Sequence, residues 1–191
     1  IDGERDFNQV YFDGAVTDEA HVVGEVDEGW DATMTMLSFE HGLTQLYPPD
    51  KLSLEERWTQ LVEYCQETER GGRPLSKDPR IRQQLARLHT KIQAGKLMNL
   101  RYIHDRMTSG DVGAKGSADR VFSSELLKEL EEFALSIQGP RAALWEDGLE
   151  DGRWQDRYLD SFGTTIAAGT SEMHRNTIAE RVLGLPKDPK S

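Results

Sequence analysis

A single cysteine, Cys65, is all the thiol this chain carries. No internal disulfide can form, and a reducing, cytoplasmic setting is the expectation. Basic residues are also short, with 23 Lys and Arg against 34 Asp and Glu, a net charge of −11. A nucleic-acid surface needs a dense basic patch that displaces counterions. The same acidity disfavours docking on an anionic membrane. Neither nucleic acid nor membrane is therefore an expected partner, and no apolar run approaches the ~20 residues that span a bilayer. Metal-ligand spacing is missing too: His21, His41, His89, His104 and His174 form no His-Glu-x-x-His pair or Cys-His cluster, so no metal is expected. His89 and His104 fall on a charged helix and are expected to be solvated. Residues Gly110 to Ser117 look like a phosphate loop, but Lys115 is followed by Gly116 where Ser or Thr is required, leaving a plain interhelical loop. Ile1 to Val10 is charged and has no apolar stretch of the signal-peptide kind. A start at Ile1 suggests a processed or truncated product.

What is present, over 191 residues, is mostly helical periodicity. Residues 1–24 are the exception. Phe7, Val10, Phe12 and Val22-Val23 sit among Gly and Asp in short alternations, too little strand material for a sheet of its own. From Asp27 onward Trp30, Met34, Leu37 and His41 fall on one helical face, ended by Tyr47-Pro48-Pro49. A Ser-Leu-Glu-Glu cap opens a second helix over about Ser53 to Thr68, and Gly71-Gly72-Arg73-Pro74 reads as a loop. A long helix over about Asp78 to Met107 has Ile81, Leu85, Leu88, Ile92, Leu100, Ile103 and Met107 as its stripe. A Gly-rich connection, Ser109 to Gly116, leads to a helix over about Ser117 to Ile137 with Val121, Phe122, Leu126, Leu130, Phe133 and Ile137 inward. Gln138 to Phe162 reads as irregular. A last helix follows Gly169-Thr170-Ser171 and ends near Gly184-Leu185-Pro186. Four or five amphipathic helices without alternating strands predict an all-α antiparallel helical bundle, with 1–24 as a separate remnant and 25–191 as the bundle domain.

Two places in this pattern carry chemistry. Glu40 has Met36, Leu37 and Leu43 as helical neighbours. Partial desolvation raises a carboxylate's pKa toward what a general base needs; the alternative is an ordinary charged residue at the stripe's edge. Gly169-Thr170-Ser171 opens a helix whose free N–H groups suit an anion or polar cofactor group; the alternative is a plain N-cap.

The closing segment resembles a known signature. Thr165-Ile-Ala-Ala-Gly-Thr-Ser-Glu-Met-His-Arg-Asn-Thr-Ile-Ala-Glu-Arg-Val-Leu-Gly-Leu-Pro186 is similar to the end of acyl-CoA dehydrogenases, roughly I-Y-E-G-T-S-E-I-Q-R-N-I-I-A-E-R-V-L-G-L-P. Asp6-Phe7-Asn8, Phe12-Asp13, Val23-Gly24-Glu25 and Gly29-Trp30 also resemble the family. So do Gly71-Gly72-Arg73-Pro74-Leu75 with Asp78-Pro79, and Ser117 to Glu125, especially in its actinobacterial branch. The resemblance implies that residues 1–24 are the tail of a middle β-domain and 25–191 its C-terminal helical bundle.

The resemblance implies α,β-dehydrogenation of an acyl-CoA thioester on FAD. Electrons would pass to an electron-transfer flavoprotein, and the protein would be a homo- or hetero-oligomer, dimer or tetramer. The usual base, the Glu of the E-G-T triplet, is Ala168 here. Some members instead place the base on the first bundle helix in a pattern like L-x-x-E-R, and Leu37-Ser38-Phe39-Glu40-His41 matches it with His41 in the place of Arg. Glu40 is thus the implied catalytic base and His41 a substrate contact. Gly169 is implied to offer its N–H to the thioester carbonyl. Thr170 and Glu172 carry over as FAD contacts. Gln138 and Gly139 stand where the family's Gly-Gly turn meets the adenosine part of FAD. The family's Arg-x-x-Phe-Gly segment, which holds the flavin pyrophosphate across a subunit boundary, reads Thr68-Glu69-Arg70-Gly71-Gly72. With Ala168 and this altered loop, a non-catalytic subunit of a mixed oligomer is the competing expectation. An unrelated helical adaptor is the third.

Overall fold

The structure, a computed structural model, describes residues 8–43, 53–109, 114–145 and 152–187, with side chains left out for 38–43 and 109. Six α-helices dominate: α1 (Gly29–Leu43), α2 (Leu54–Glu67), α3 (Pro79–Ser109), α4 (Lys115–Ser136), α5 (Arg153–Thr164) and α6 (Ser171–Thr177). Their ends follow local chemistry. Ser53 accepts from the Glu56 N–H at 3.3 Å while the Glu56 carboxylate accepts from the Ser53 N–H at 2.8 Å, closing both ends of a capping box on α2. The Ser53 hydroxyl, donating to the same carboxylate at 2.6 Å, and the Ser53 N–H hold the Glu56 carboxyl below its usual range. Asp78 caps α3 through the N–H of Arg80 at 2.8 Å. Pro79 then takes the first helical position, where its missing N–H costs nothing.

Between α2 and α3, the residues read as a loop form a two-stranded antiparallel hairpin, β1 (Glu69–Arg70) and β2 (Arg73–Pro74), with Arg70 opposite Arg73. Gly71 and Gly72 have φ of +61° and +74°, the pair of positive values that a tight two-residue hairpin turn requires. These are the only strands among the described residues. Residues 8–28 form none: they run extended with one 3-10 turn at Glu19–His21, and Phe12 and Val16 are 85% and 95% exposed.

α4 is the spine of the bundle, packed by α3, α5, α6 and α1. Two apolar clusters fill the space around it. Leu61, Cys65, Leu75, Ile81, Leu85, Ala134, Ile137 and Trp154 form one; Leu88, Ile92, Leu126 and Leu130 form the other. Burial of this kind stabilises by roughly 25 cal/mol per Å² of apolar surface. It also pushes the Cys65 thiol up to about 11, so the chain's one cysteine is an inert core residue. Arg57 and Glu131, both buried, pair across α2 and α4.

The fold class stands, and several sequence expectations are corrected. Gln138 to Phe162 is not irregular throughout. A 3-10 turn at Gly139–Ala143 and all but the last two residues of α5 occupy it, and the Gln155 side chain ties the two by donating to Leu144 O at 2.9 Å and Ala142 O at 3.2 Å. The Gly and Asp content of 146–152 hid a helix whose apolar face is carried by Trp154 alone among large buried residues. α4 begins at Lys115, so Gly116 belongs to the helix rather than to the connection. The final helix is broken into α6 and a π-helical turn at Ile178–Val182, closed by Gly184 at φ +68°. His89 is only partly solvated: it is half-buried, its ring packed at a tilt of 42° against Trp58 with centroids 4.4 Å apart. The stripes predicted inward on α1 and at the end of α3 are open as well, with Trp30 73% and Met107 82% exposed.

Candidate functional site

The closing turn, residues 164–170, docks on the N-terminal third of α4. Arg120 donates from Nη2 to Thr164 O at 2.9 Å and to Ala167 O at 2.8 Å. His174, buried on α6, sits between the two segments: its Nδ1 lies 3.1 Å from the Ser117 hydroxyl and its Nε2 3.1 Å from Ala168 O. Arg175 pairs with Glu125 at 3.2 Å. Burial alone would raise the Glu125 carboxyl, but Ser171, Lys128 and Arg175 together hold it below the usual range.

Within the turn, Ala168 has φ +53° and Gly169 φ +97°. A left-handed residue with a Cβ is uncommon and costs of order 1 kcal/mol, so the surrounding bonds must hold it. Gly169 has its own reason to be glycine: a Cβ there would lie 3.1 Å from His174 Nε2. Thr170 caps α6, its hydroxyl oxygen accepting from the Met173 N–H at 3.3 Å. Glu172 stands in solvent beside Arg175. The structure thus brings Gly169, Thr170 and Glu172 together on one short segment.

Gln138 and Gly139 lie elsewhere, at the far end of α4. The 18 to 22 residues separating them from Arg120 and Ser117 correspond to about 30 Å of helix. There the hairpin lends Arg70, which donates from Nη2 to Ile137 O at 2.6 Å. A cleft of about 270 Å³ opens between Tyr64, Thr68, Arg70, Leu75, Gln138 and Arg141. The Gln138 side chain is buried, and neither its Nε2 nor its Oε1 has a hydrogen-bond partner. A buried amide with both ends unmet costs free energy until something pairs with it. One amide donor, one amide acceptor and the Arg70 and Arg141 guanidinium groups, with the Glu69 carboxylate also on the lining, form a set that fits a polar dinucleotide segment. On that observation the residues fit the adenosine-diphosphate part of FAD, although Phe is absent from the hairpin.

Glu40 and His41 fall on α1, which packs against α4; their side chains lie outside the described residues. Sequence reasoning missed His174, Arg120 and Ser117 as parts of the turn. The available signal was His174 itself, standing where the quoted signature has Gln.

The profile of the acyl-CoA dehydrogenase C-terminal domain matches residues 27–183. The chain belongs to the acyl-CoA dehydrogenase family. It is 34% identical over 190 residues to acyl-CoA dehydrogenase IpdE1 of Mycolicibacterium smegmatis, covering 100% of this chain and 45% of that protein. To acyl-CoA dehydrogenase FadE26 of Mycobacterium tuberculosis it is 28% identical, covering 95% of this chain and 46% of that protein. The chain thus spans about half the length of the curated relatives it matches. Its fold is similar to that in the ChsE4–ChsE5 complex from Mycobacterium tuberculosis, with a TM-score of 0.70, 27% identity, and 86% of this chain and 43% of that chain covered. Butyryl-CoA dehydrogenase from Megasphaera elsdenii shares the fold at a TM-score of 0.68 and 19% identity, with 84% of this chain and 40% of that chain covered. For this acyl-CoA dehydrogenase family member, the closing turn lies inside the matched span, as does the Gln138 cleft. Among the described residues no helix is long and apolar enough to cross a membrane.

Proposed function

We propose that this chain is the C-terminal helical part of an FAD-dependent acyl-CoA dehydrogenase, with residues 1–24 the tail of a preceding β-domain. The observation that carries the reading is the family match across 27–183, which takes in the Gly169-Thr170-Ser171 turn. Ala168 cannot accept a proton, so that role passes to the carboxylate on α1. Glu40 removes the α-proton of the thioester, with His41 beside it as a substrate contact. The Gly169 N–H meets the thioester carbonyl oxygen, where charge builds up as the proton leaves, and acidifies that proton. FAD, when bound, supplies the hydride acceptor. Thr170 and Glu172 hold one FAD from the closing turn. Gln138 and Gly139 hold the adenosine part of another FAD, because about 30 Å of helix separates the two segments. That arrangement calls for an oligomer in which each cofactor is shared between subunits. An electron-transfer flavoprotein receives the electrons.

The test is Glu40→Gln in the flavin-loaded parent protein. Reduction of the flavin by acyl-CoA should be lost while FAD stays bound; unchanged reduction removes Glu40 from the role. A second reading, a non-catalytic subunit of a mixed oligomer, is favoured by Ala168 and by the similarity to a chain of the two-component ChsE4–ChsE5 complex. Purification of the parent protein alone without FAD would select it.

A further inference from the structure

The closing turn contains two consecutive peptide planes whose orientation is fixed from behind. The Ala167 carbonyl oxygen accepts from Arg120 Nη2 at 2.8 Å. The Ala168 carbonyl oxygen meets His174 Nε2 at 3.1 Å. A trans peptide is planar, with its C=O and N–H pointing in opposite directions. Drawing the Ala167 oxygen toward α4 therefore turns the Ala168 N–H away from it, and drawing the Ala168 oxygen onto His174 does the same for the Gly169 N–H. The left-handed φ of Ala168, +53°, lets successive N–H groups converge on one side, the geometry of an anion-binding nest. Among the described residues neither N–H is used internally: the turn's own bonds run from Ala167 N to Gly163 O at 2.9 Å and from Ser171 N to Thr165 O at 3.0 Å.

His174 is well placed to hold this geometry. It is buried, its Nδ1 is braced by the Ser117 hydroxyl on α4, and its Nε2 is close enough to residue 169 that a Cβ there would crowd it at 3.1 Å. The ring therefore joins α4 to the turn as a rigid spacer with one polar atom at each end.

We propose that His174, braced by Ser117, is a positioning residue that holds the Ala168–Gly169 peptide so that the N–H groups of Ala168 and Gly169 form a two-donor cradle for the thioester carbonyl oxygen. Arg120 does the same for the Ala167–Ala168 peptide. The inference rests on the proposed thioester contact at Gly169 and adds the residues that aim it. It also accounts for a His at position 174: both ring nitrogens are occupied inside the protein, and neither is offered to the substrate.

The experiment uses the flavin-loaded parent protein and an acyl-CoA analogue carrying ¹³C at the thioester carbonyl, read by infrared difference spectroscopy. In the unsubstituted protein the carbonyl stretch should move to lower frequency on binding. His174→Asn keeps an atom in the place of Nδ1 but cannot reach Ala168 O, so the shift should shrink and kcat should fall ~10- to 100-fold, below the loss seen when an oxyanion donor is deleted outright, with KM nearly unchanged. His174→Gln reaches Ala168 O with its amide N–H, so it should recover most of both. A full shift retained in His174→Asn overturns the positioning role alone. Equal losses in His174→Asn and His174→Gln overturn it as well, since they would mark a general packing effect. No shift in the unsubstituted protein removes the thioester contact itself, and the inference with it.

Discussion

The two ends of α3 follow the same period and meet opposite fates. At its beginning, Ile81, Leu85, Leu88 and Ile92 are buried against α2 and α4. Toward its end Leu97, Leu100 and Met107 are exposed, Leu100 at 61%. The second half still meets α4, with Tyr102 buried and Asn99 bonded to Asp119, but these apolar residues are left uncovered. The first half faces α2 and α4, which supply Leu61, Leu126 and Leu130. A stripe therefore states where a helix can be covered, and burial depends on a partner of matching shape. The closed end also holds the buried Arg57–Glu131 ion pair, while the open end holds a pair of polar side chains that satisfy each other only in part: Asn99 donates from Nδ2 to Asp119 Oδ2 at 3.3 Å, and Asn99 Oδ1 and Asp119 Oδ1 are buried without a partner.

Three changes sharpen or break this contrast. The largest effect is expected from Glu131→Ala, which leaves the Arg57 guanidinium buried without its carboxylate and should lower stability by about 3–5 kcal/mol in urea unfolding. A loss under about 1 kcal/mol would mean that water reaches the pair and that this end is less closed than it looks. A gain is expected from Asp119→Asn. Burial raises the Asp119 carboxyl above its ordinary range, opposed by the bond from Asn99. The unfolded chain then releases this proton at lower pH than the folded one, so stability falls as pH rises from the unfolded pKa through the folded one. An amide at 119 can donate to the unmet Asn99 Oδ1. The substitution should raise the melting temperature at pH 7 by an amount equivalent to about 1 kcal/mol, with the advantage disappearing in acid below the ordinary Asp range. An advantage independent of pH would assign it to packing instead. The smallest effect is expected from Leu100→Ser, within about 0.5 kcal/mol for this chain alone. A larger loss in the assembled parent protein would show that its surface at the end of α3 is covered there.

Much of this was legible from residue order. The Ser53 and Asp78–Pro79 starts were written in local chemistry, because a cap needs only its own next three residues. The core of α3 and α4 was legible because a period of 3.6 survives any partner. What was not legible depended on neighbours distant in sequence. α5 has a narrow apolar face, and its fixed points, Trp154 and Gln155, pack against Tyr64 and the carbonyls of 142–144. The tilted contact of His89 with Trp58 joins two helices. At the candidate site, the closing signature pointed to Gly169, Thr170 and Glu172 by resemblance, while His174 and Arg120 acquire their meaning only when α6 lies on α4. The separation of Gln138 from Gly169 was equally hidden, since both belong to segments that family resemblance groups under a single cofactor.

α4 runs without interruption from Lys115 to Ser136, and the two candidate regions sit at its ends. Such a rod acts as a gauge of both length and phase. One residue inserted along it would lengthen the interval by about 1.5 Å and rotate one end against the other by about 100°. The closing turn would then face a different direction from the Gln138 cleft, with every side chain at both ends unchanged. The number of residues in α4 is thus a specification in its own right, one that no single substitution can reveal and that a single-residue deletion would expose.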